Sequence, residues 1–283
     1  MKNLFKVLVL TITATMLLTA GVASALTMGT QITVSDGNIS SSSSWYKDHE
    51  DQEVEPGMLA TQAWDLEGFF LDGNILTMVG GYNFVKGEAS NQDVGANDYS
   101  NNKIFESGDL FIDIDGDAEY GDIHGNINGN VAVNDTFGYD YVLDLDFNLL
   151  TYSIVALNSS SSTMISAYYK ENYGSNPWKY LSGGNVIGTG TITYITGLSD
   201  AAVGFSGGTH NVATGFDLSF LAGDTDFTAH FTMECGNDNL MGKGTTLAKQ
   251  SSGNAGTPEP ATMLLLGSGL AGIAGLRRKF KRS

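Results

Sequence analysis

Apolar and polar residues alternate with a period of two through most of the chain, and stretches with a 3.6-residue period are scarce, so the pattern predicts strands. "WDLEGFFLDGNILTMVGGYNF" (64–84) reads as two strands around Asp72-Gly73-Asn74, because these residues readily take the left-handed conformations of a hairpin turn. "GDLFIDIDGD" places Leu110, Ile112 and Ile114 on one face and Asp113 and Asp115 on the other. In "YDYVLDLDFNLLTYSIVAL", Tyr139, Tyr141, Leu143, Leu145 and Phe147 oppose Asp140, Asp144 and Asp146. Further strands are predicted over 186–196, 215–221 and 226–234. In the last, Phe227, Ala229, Phe231 and Met233 alternate with Thr228, His230 and Thr232.

Short strands punctuated by glycine predict an all-β fold, an antiparallel β-sandwich of jelly-roll or Ig-like type. The sandwich is expected over residues 57–247 as one domain. A polar, Ser-rich segment (26–56) precedes it, and a flexible linker (248–257) follows.

Both ends depart from this pattern. Residues 1–25 combine Lys2 and Lys6, an apolar stretch and Ala23-Ser24-Ala25, which predicts a secretory signal peptide cut after Ala25. At the other end, residues 261–276 carry no charge and would span about 24 Å as a helix. Arg277, Arg278, Lys279, Lys281 and Arg282 follow at once, so a single transmembrane helix is expected with its basic end on the cytoplasmic side and the body outside. Pro258-Glu259-Pro260, the apolar run and the basic cluster led by Arg277, Arg278 and Lys279 together resemble the PEP-CTERM sorting signal of bacterial surface proteins. The resemblance implies export in a Gram-negative bacterium that makes extracellular polysaccharide. It also implies transient anchoring in the inner membrane and processing by an exosortase, a membrane-embedded cysteine transpeptidase. "HFTMECGND" (230–238), with the segments around 110 and 143, is similar to stretches of uncharacterised exosortase-dependent proteins. The hairpin followed by "LFIDIDGD" loosely resembles carbohydrate-binding β-sandwich modules.

The chain has a net charge of −17, and half of its lysines and arginines sit at the ends. Residues 26–257 keep seven lysines and no arginine against thirty acids, a charge near −23. That argues against nucleic acid as a partner, since no basic stripe can displace counterions. One cysteine, Cys235, rules out an intrachain disulfide and thiolate-rich metal centres.

Chemistry is expected in three places. Asp113, Asp115, Asp117 and Glu119 are carboxylates at every second position, and Asp144 and Asp146 join them on one face if the two strands pair. Like charges so placed are neutralised by bound calcium or simply solvated, and both readings stay open. Calcium is thus the one cofactor suggested. "AYYKENYGSNPWKY" interleaves aromatic and polar residues, making Tyr173, Trp178 and Tyr180 the expected glycan-facing platform. "GFSGG" around Ser206 matches the letters of a nucleophile elbow, but loop and strand follow where a helix is needed, so it reads as a turn. The expected function is that of an exported, exosortase-processed cell-surface or matrix protein, non-catalytic and associated with exopolysaccharide. The alternatives are a carbohydrate-active hydrolase carried by the same tail, or a coat protein without a ligand.

Overall fold

The alternating segments become strands, and every pairing among the described residues is antiparallel. The computed structural model describes residues 27–35, 50–55, 58–89, 103–118, 131–165 and 175–248. The signal peptide, the sorting tail and most of the linker lie outside them. The chain divides into two compact units, Met1–Leu247 and Ala248–Ser283, and every described element belongs to the first.

β3 (Leu66–Asp72) and β4 (Ile75–Gly80) form the expected hairpin over Gly73, whose φ of 62° is the left-handed geometry the turn requires. β1 (Thr30–Gln31) pairs with one side of this hairpin. β15 (His210–Asp217) and then β14 (Thr193–Leu198) extend the other, giving a five-stranded sheet ordered β1-β3-β4-β15-β14. A seven-stranded sheet faces it, running β13 (Asn185–Thr191), β10 (Thr151–Ala156), β9 (Tyr141–Asp146), β7 (Leu110–Asp113), β16 (Asp226–Thr232), β17 (Asn239–Thr245) and β2 (Thr33–Val34). A three-stranded layer, β12 (Lys179–Ser182), β11 (Ser162–Ile165) and β8 (Val131–Val133), and a pair, β5 (Glu88–Ala89) with β6 (Ile104–Phe105), complete the strands.

The main core lies between the two large sheets. Phe69, Leu76, Met78, Ala213 and Phe216 come from one side and Leu110, Ile112, Leu143, Phe227, Phe231 and Leu240 from the other. Each such side chain contributes about 1.5–3 kcal/mol on leaving water, which is why the period-two faces determine the layering. Phe84 sits at its centre, in ring contact with Tyr82, Phe147, Tyr194 and Phe231. A second cluster on the back of the five-stranded sheet joins Phe70, Val79 and Val212 to Val203 and Phe205, next to the one-turn helix α1 (Asp200–Val203). A third, under the three-stranded layer, contains Phe111, Phe137, Tyr139, Val142, Val155 and Ile165.

Four expectations need revision. The strand predicted over 186–196 is divided at Ile192, which is buried in the main core, so that β13 belongs to one sheet and β14 to the other. Residues 30–34 make the same crossing at the opposite side, from β1 to β2, although the sequence assigned them to a polar leader segment. Each pair of sheet edges is therefore joined by a corner segment, one of the ways a sandwich limits open edges. The strand expected at 215–221 occupies His210–Asp217 instead, because the Asp217 carboxylate accepts the Ser219 N–H (2.8 Å) and turns the chain. Tyr139 leaves the face of Tyr141 and Leu143; after Gly138 (φ 82°) it turns outward to stack on His230, with centroids 5.6 Å apart.

Candidate functional site

The acidic strands do pair, but their register divides the expected calcium set. Leu110 stands opposite Leu143, Phe111 opposite Val142 and Ile112 opposite Tyr141. Asp113 therefore neighbours Asp140, while Asp144 and Asp146 run toward the far end of the pair, beginning about 13 Å away at four residues of strand rise. Phe111 and Val142 fill the face between them. Asp113, Asp115 and Asp117 do gather, with one oxygen of each within 4.8 Å of the others. Glu119 lies outside the described residues. The Asp113 carboxylate accepts the N–H groups of Asp115 (3.1 Å) and Gly116 (2.9 Å), and that of Asp115 accepts the Asp117 N–H (3.3 Å). Asp140 in turn accepts the Ile114 N–H (2.8 Å). The six residues thus do not form one site. The Asp113 end is a self-satisfied turn with Asp115 and Asp117 exposed to water. At the other end Asp144 is half-buried, its carboxyl raised by burial and offset by the Lys179 charge.

The aromatic platform is corrected as well. Trp178 is only 4% exposed and cannot offer its face to a sugar ring. Its backbone is clamped between the Met164 C=O and the Asp109 N–H. Tyr180 is half-buried and donates its O–H to the Gly183 C=O (2.5 Å). Tyr173 lies outside the described residues. The two that are described hold the three-stranded layer in place, a packing demand that their polar neighbours in the sequence disguise.

Ser206 sits in the exposed turn after α1, and its N–H donates to the Asp51 carboxylate (3.1 and 3.2 Å). The nearby histidine, His210, is engaged elsewhere. Opposite β4, Leu66 pairs with Gly80 and Gly68 with Val79, so Glu67 is the extra residue of a β-bulge, a device that re-aims a side chain. Its carboxyl lies 2.7 Å from His210 Nδ1, and His210 Nε2 lies 2.9 Å from Asp200 Oδ1. Gln62 donates to Glu67 Oε1 (2.6 Å). Burial raises the Glu67 pKa to about 8. The bond to His210 lowers the Asp200 pKa.

Further acidic residues gather beside this relay. Glu50, Glu53 and Asp238 each place an oxygen within 4.8 Å of the others, and so do Asp51, Asp65 and Glu67. Glu50, Glu53, Asp65 and Asp238 are 6, 3, 2 and 1% exposed. Three separate segments bring them together. A 3-10 turn, Gln62–Trp64, sinks Trp64 edge-on against Phe105 (5.8 Å) and delivers Asp65 at the start of β3. The Asp65 C=O accepts the Gly81 N–H (2.9 Å), an approach that only glycine permits, since a Cβ on Gly81 would lie 1.7 Å from the Gln62 C=O oxygen. The loop after β16 supplies Asp238, whose carboxylate accepts the Leu66 and Asn239 N–H groups. Residues 50–55 lie over both, held by the Gln52 N–H to Asp65 Oδ2 (3.0 Å) and the Glu55 N–H to the Asn237 C=O (3.0 Å). Burial first, and neighbouring carboxylates next, push Asp65 and Asp238 well above the usual carboxyl range. Asp65 Oδ1 has no hydrogen-bond partner among the described residues. A cleft of about 260 Å³ opens alongside, lined by Gln52, Val54, Thr61, Gln62, Asp65 and Gly207. No sequence spacing announces this group, because its members are drawn from positions 50–53, 65 and 238; its only signal was the acid density of "DHEDQEVE".

Fold and site define an acidic all-β body with a buried carboxylate seam. The model of the PEP-CTERM protein-sorting motif matches residues 257–279, so the chain carries that motif and, with it, the mark of exosortase-dependent export to the cell surface. No curated protein and no solved structure matches the chain. Among the described residues no helix is long and apolar enough to cross a membrane; the run 261–276 lies outside them.

Proposed function

We propose that the protein is a non-catalytic component of the cell surface or extracellular matrix, associated with exopolysaccharide, in which the sorting tail delivers a rigid acidic sandwich and the linker spaces it from the envelope. The observation that carries this reading is the sorting motif at 257–279 on an exported body with a charge near −23. Such a body repels anionic membrane surfaces and nucleic acid, leaving neutral glycans and cations as its natural contacts. Fractionation of native cells tests it. A membrane-bound precursor and a shorter mature form in the surface and matrix fractions are expected, with Pro258→Ala/Pro260→Ala trapping the precursor. Matrix retention should fall in a strain that makes no exopolysaccharide. Uncut chain free in the cell interior, or unchanged retention in that strain, would overturn the reading.

A further inference from the structure

We propose that Asp51, Asp65 and Glu67 bind a calcium ion that fastens residues 50–55 to the start of β3 and to the turn after α1. This inference stands apart from the surface role proposed above and can fail without it.

An orphaned oxygen is the first ground. Asp65 is 2% exposed, its Oδ2 accepts the Gln52 N–H (3.0 Å), and its Oδ1 meets no donor among the described residues. A buried carboxyl oxygen left so is costly, and native proteins rarely keep one without water, a ligand or an ion to occupy it. The Asp65 carboxyl reaches Asp51 and Glu67 and also lines the cleft of about 260 Å³, which has room for several waters. The other two acidic groups offer the contrast. At the Asp113 turn the carboxylates accept backbone N–H groups or lie open to water, and both oxygens of Asp238 are taken, by the Leu66 and Asn239 N–H groups.

Geometry is the second. Calcium takes oxygen ligands at about 2.3–2.6 Å, so two ligands on opposite sides of one ion lie about 4.6–5.2 Å apart. One oxygen from each of Asp51, Asp65 and Glu67 falls within 4.8 Å of the others, so the three can share one ion as they stand. Their present bonds do not use them up. Asp51 receives only the Ser206 N–H, and Glu67 receives the Gln62 side chain and faces His210, while an ionised carboxylate can accept about four bonds. Water entering by the cleft would complete the coordination shell.

Charge is the third. The described ion pairs of Lys103 and Lys179 go to Glu234 and Glu106, and the body contains no arginine. Even a protonated His210 would offset one carboxylate of the three. Both of its ring nitrogens are engaged, by Glu67 and by Asp200, so the donors left for an ion are all oxygen. Such a set suits a hard cation and not zinc or copper. The ion would tie together three separate stretches, since Asp51 comes from 50–55, Asp65 and Glu67 flank Leu66 at the start of β3, and Ser206 holds Asp51 from the turn after α1.

The test uses the full-length protein in detergent micelles, stripped with EGTA and titrated with calcium chloride alone. One calcium per chain is expected by calorimetry, and a melting temperature about 5–10 °C higher at a hundredfold excess over Kd. Asp51→Asn, Asp65→Asn and Glu67→Gln should each weaken binding at least tenfold. Asp113→Asn and Glu50→Gln, which alter the other two acidic groups, should bind as the parent does. In EGTA, Asp65→Asn should melt no lower than the stripped parent, since it removes one of three crowded charges, so its lost binding is read on a folded chain. No heat and no melting shift in the parent would overturn the proposal. So would calcium binding that survives in the Asp51, Asp65 and Glu67 variants, or that falls equally in Asp113→Asn or Glu50→Gln.

Discussion

Asp109→Asn probes how the outer layer is bonded to the sandwich. Asp109 is fully buried just before β7, and its carboxyl accepts the Leu145 N–H of β9 and the Tyr180 N–H of β12, each at 2.8 Å. Burial raises its pKa from 3.8 to about 7, with the Asp144 charge adding to the rise and the two N–H groups and Lys179 opposing it. Between these values the folded protein holds a proton that the unfolded chain has released. Stability from this group is thus complete below about pH 4 and is lost as pH rises toward 7. At roughly 1.4 kcal/mol per pKa unit the whole span is on the order of 4 kcal/mol. Asparagine cannot titrate, and it offers one acceptor where two are needed, so one buried N–H is orphaned at a cost of about 1–3 kcal/mol. The variant should therefore be less stable than the parent at pH 4, where almost none of that contribution has yet been lost, and more stable than it at pH 8. Urea unfolding of both full-length proteins from pH 4 to 8 measures the difference directly, because the other carboxyls cancel in it. Parallel stability profiles across that range would refute the reasoning.

Two further outcomes follow from the packing. Phe84→Ala removes the ring shared by Tyr82, Phe147, Tyr194 and Phe231 and should cost about 3–5 kcal/mol, read as a lowered urea midpoint at unchanged slope; a loss under 1 kcal/mol would mean the cluster is not cohesive. Cys235 is buried and its thiol is raised by burial, so the native protein should resist a thiol-reactive disulfide reagent that labels it fully in urea, and rapid native labelling would contradict that placement.

The strands were legible where one face of an alternating run meets a core, as in 66–80 and 226–232, because period-two burial writes itself into residue order. Pairing of the Asp113 and Asp144 strands was also within reach, but register was not: a run of alternating aspartates has the same pattern at either end. Ile192 was unreadable for a related reason, since a residue at which the chain changes sheets keeps the alternation of an ordinary strand. The sorting tail is a contiguous motif and stands out. The buried carboxylates do not, because Glu50 and Glu53 meet Asp238, and Asp51 meets Asp65 and Glu67, only once distant segments have folded together. Local polarity gave no hint of it, since 50–55 fall in the polar, Ser-rich segment, yet Glu53, Val54 and Glu55 are buried.

The chain leaves the sandwich at Leu247, directly after β17, and β17 lies between β16 and β2, away from the sheet's rim. Any pull applied through the tether is received by a strand matched residue for residue to β16, from Asp226 opposite Thr245 to Thr232 opposite Asn239. A load entering there meets the whole β16–β17 ladder before it reaches the sheet's edge, which makes this attachment point mechanically enduring.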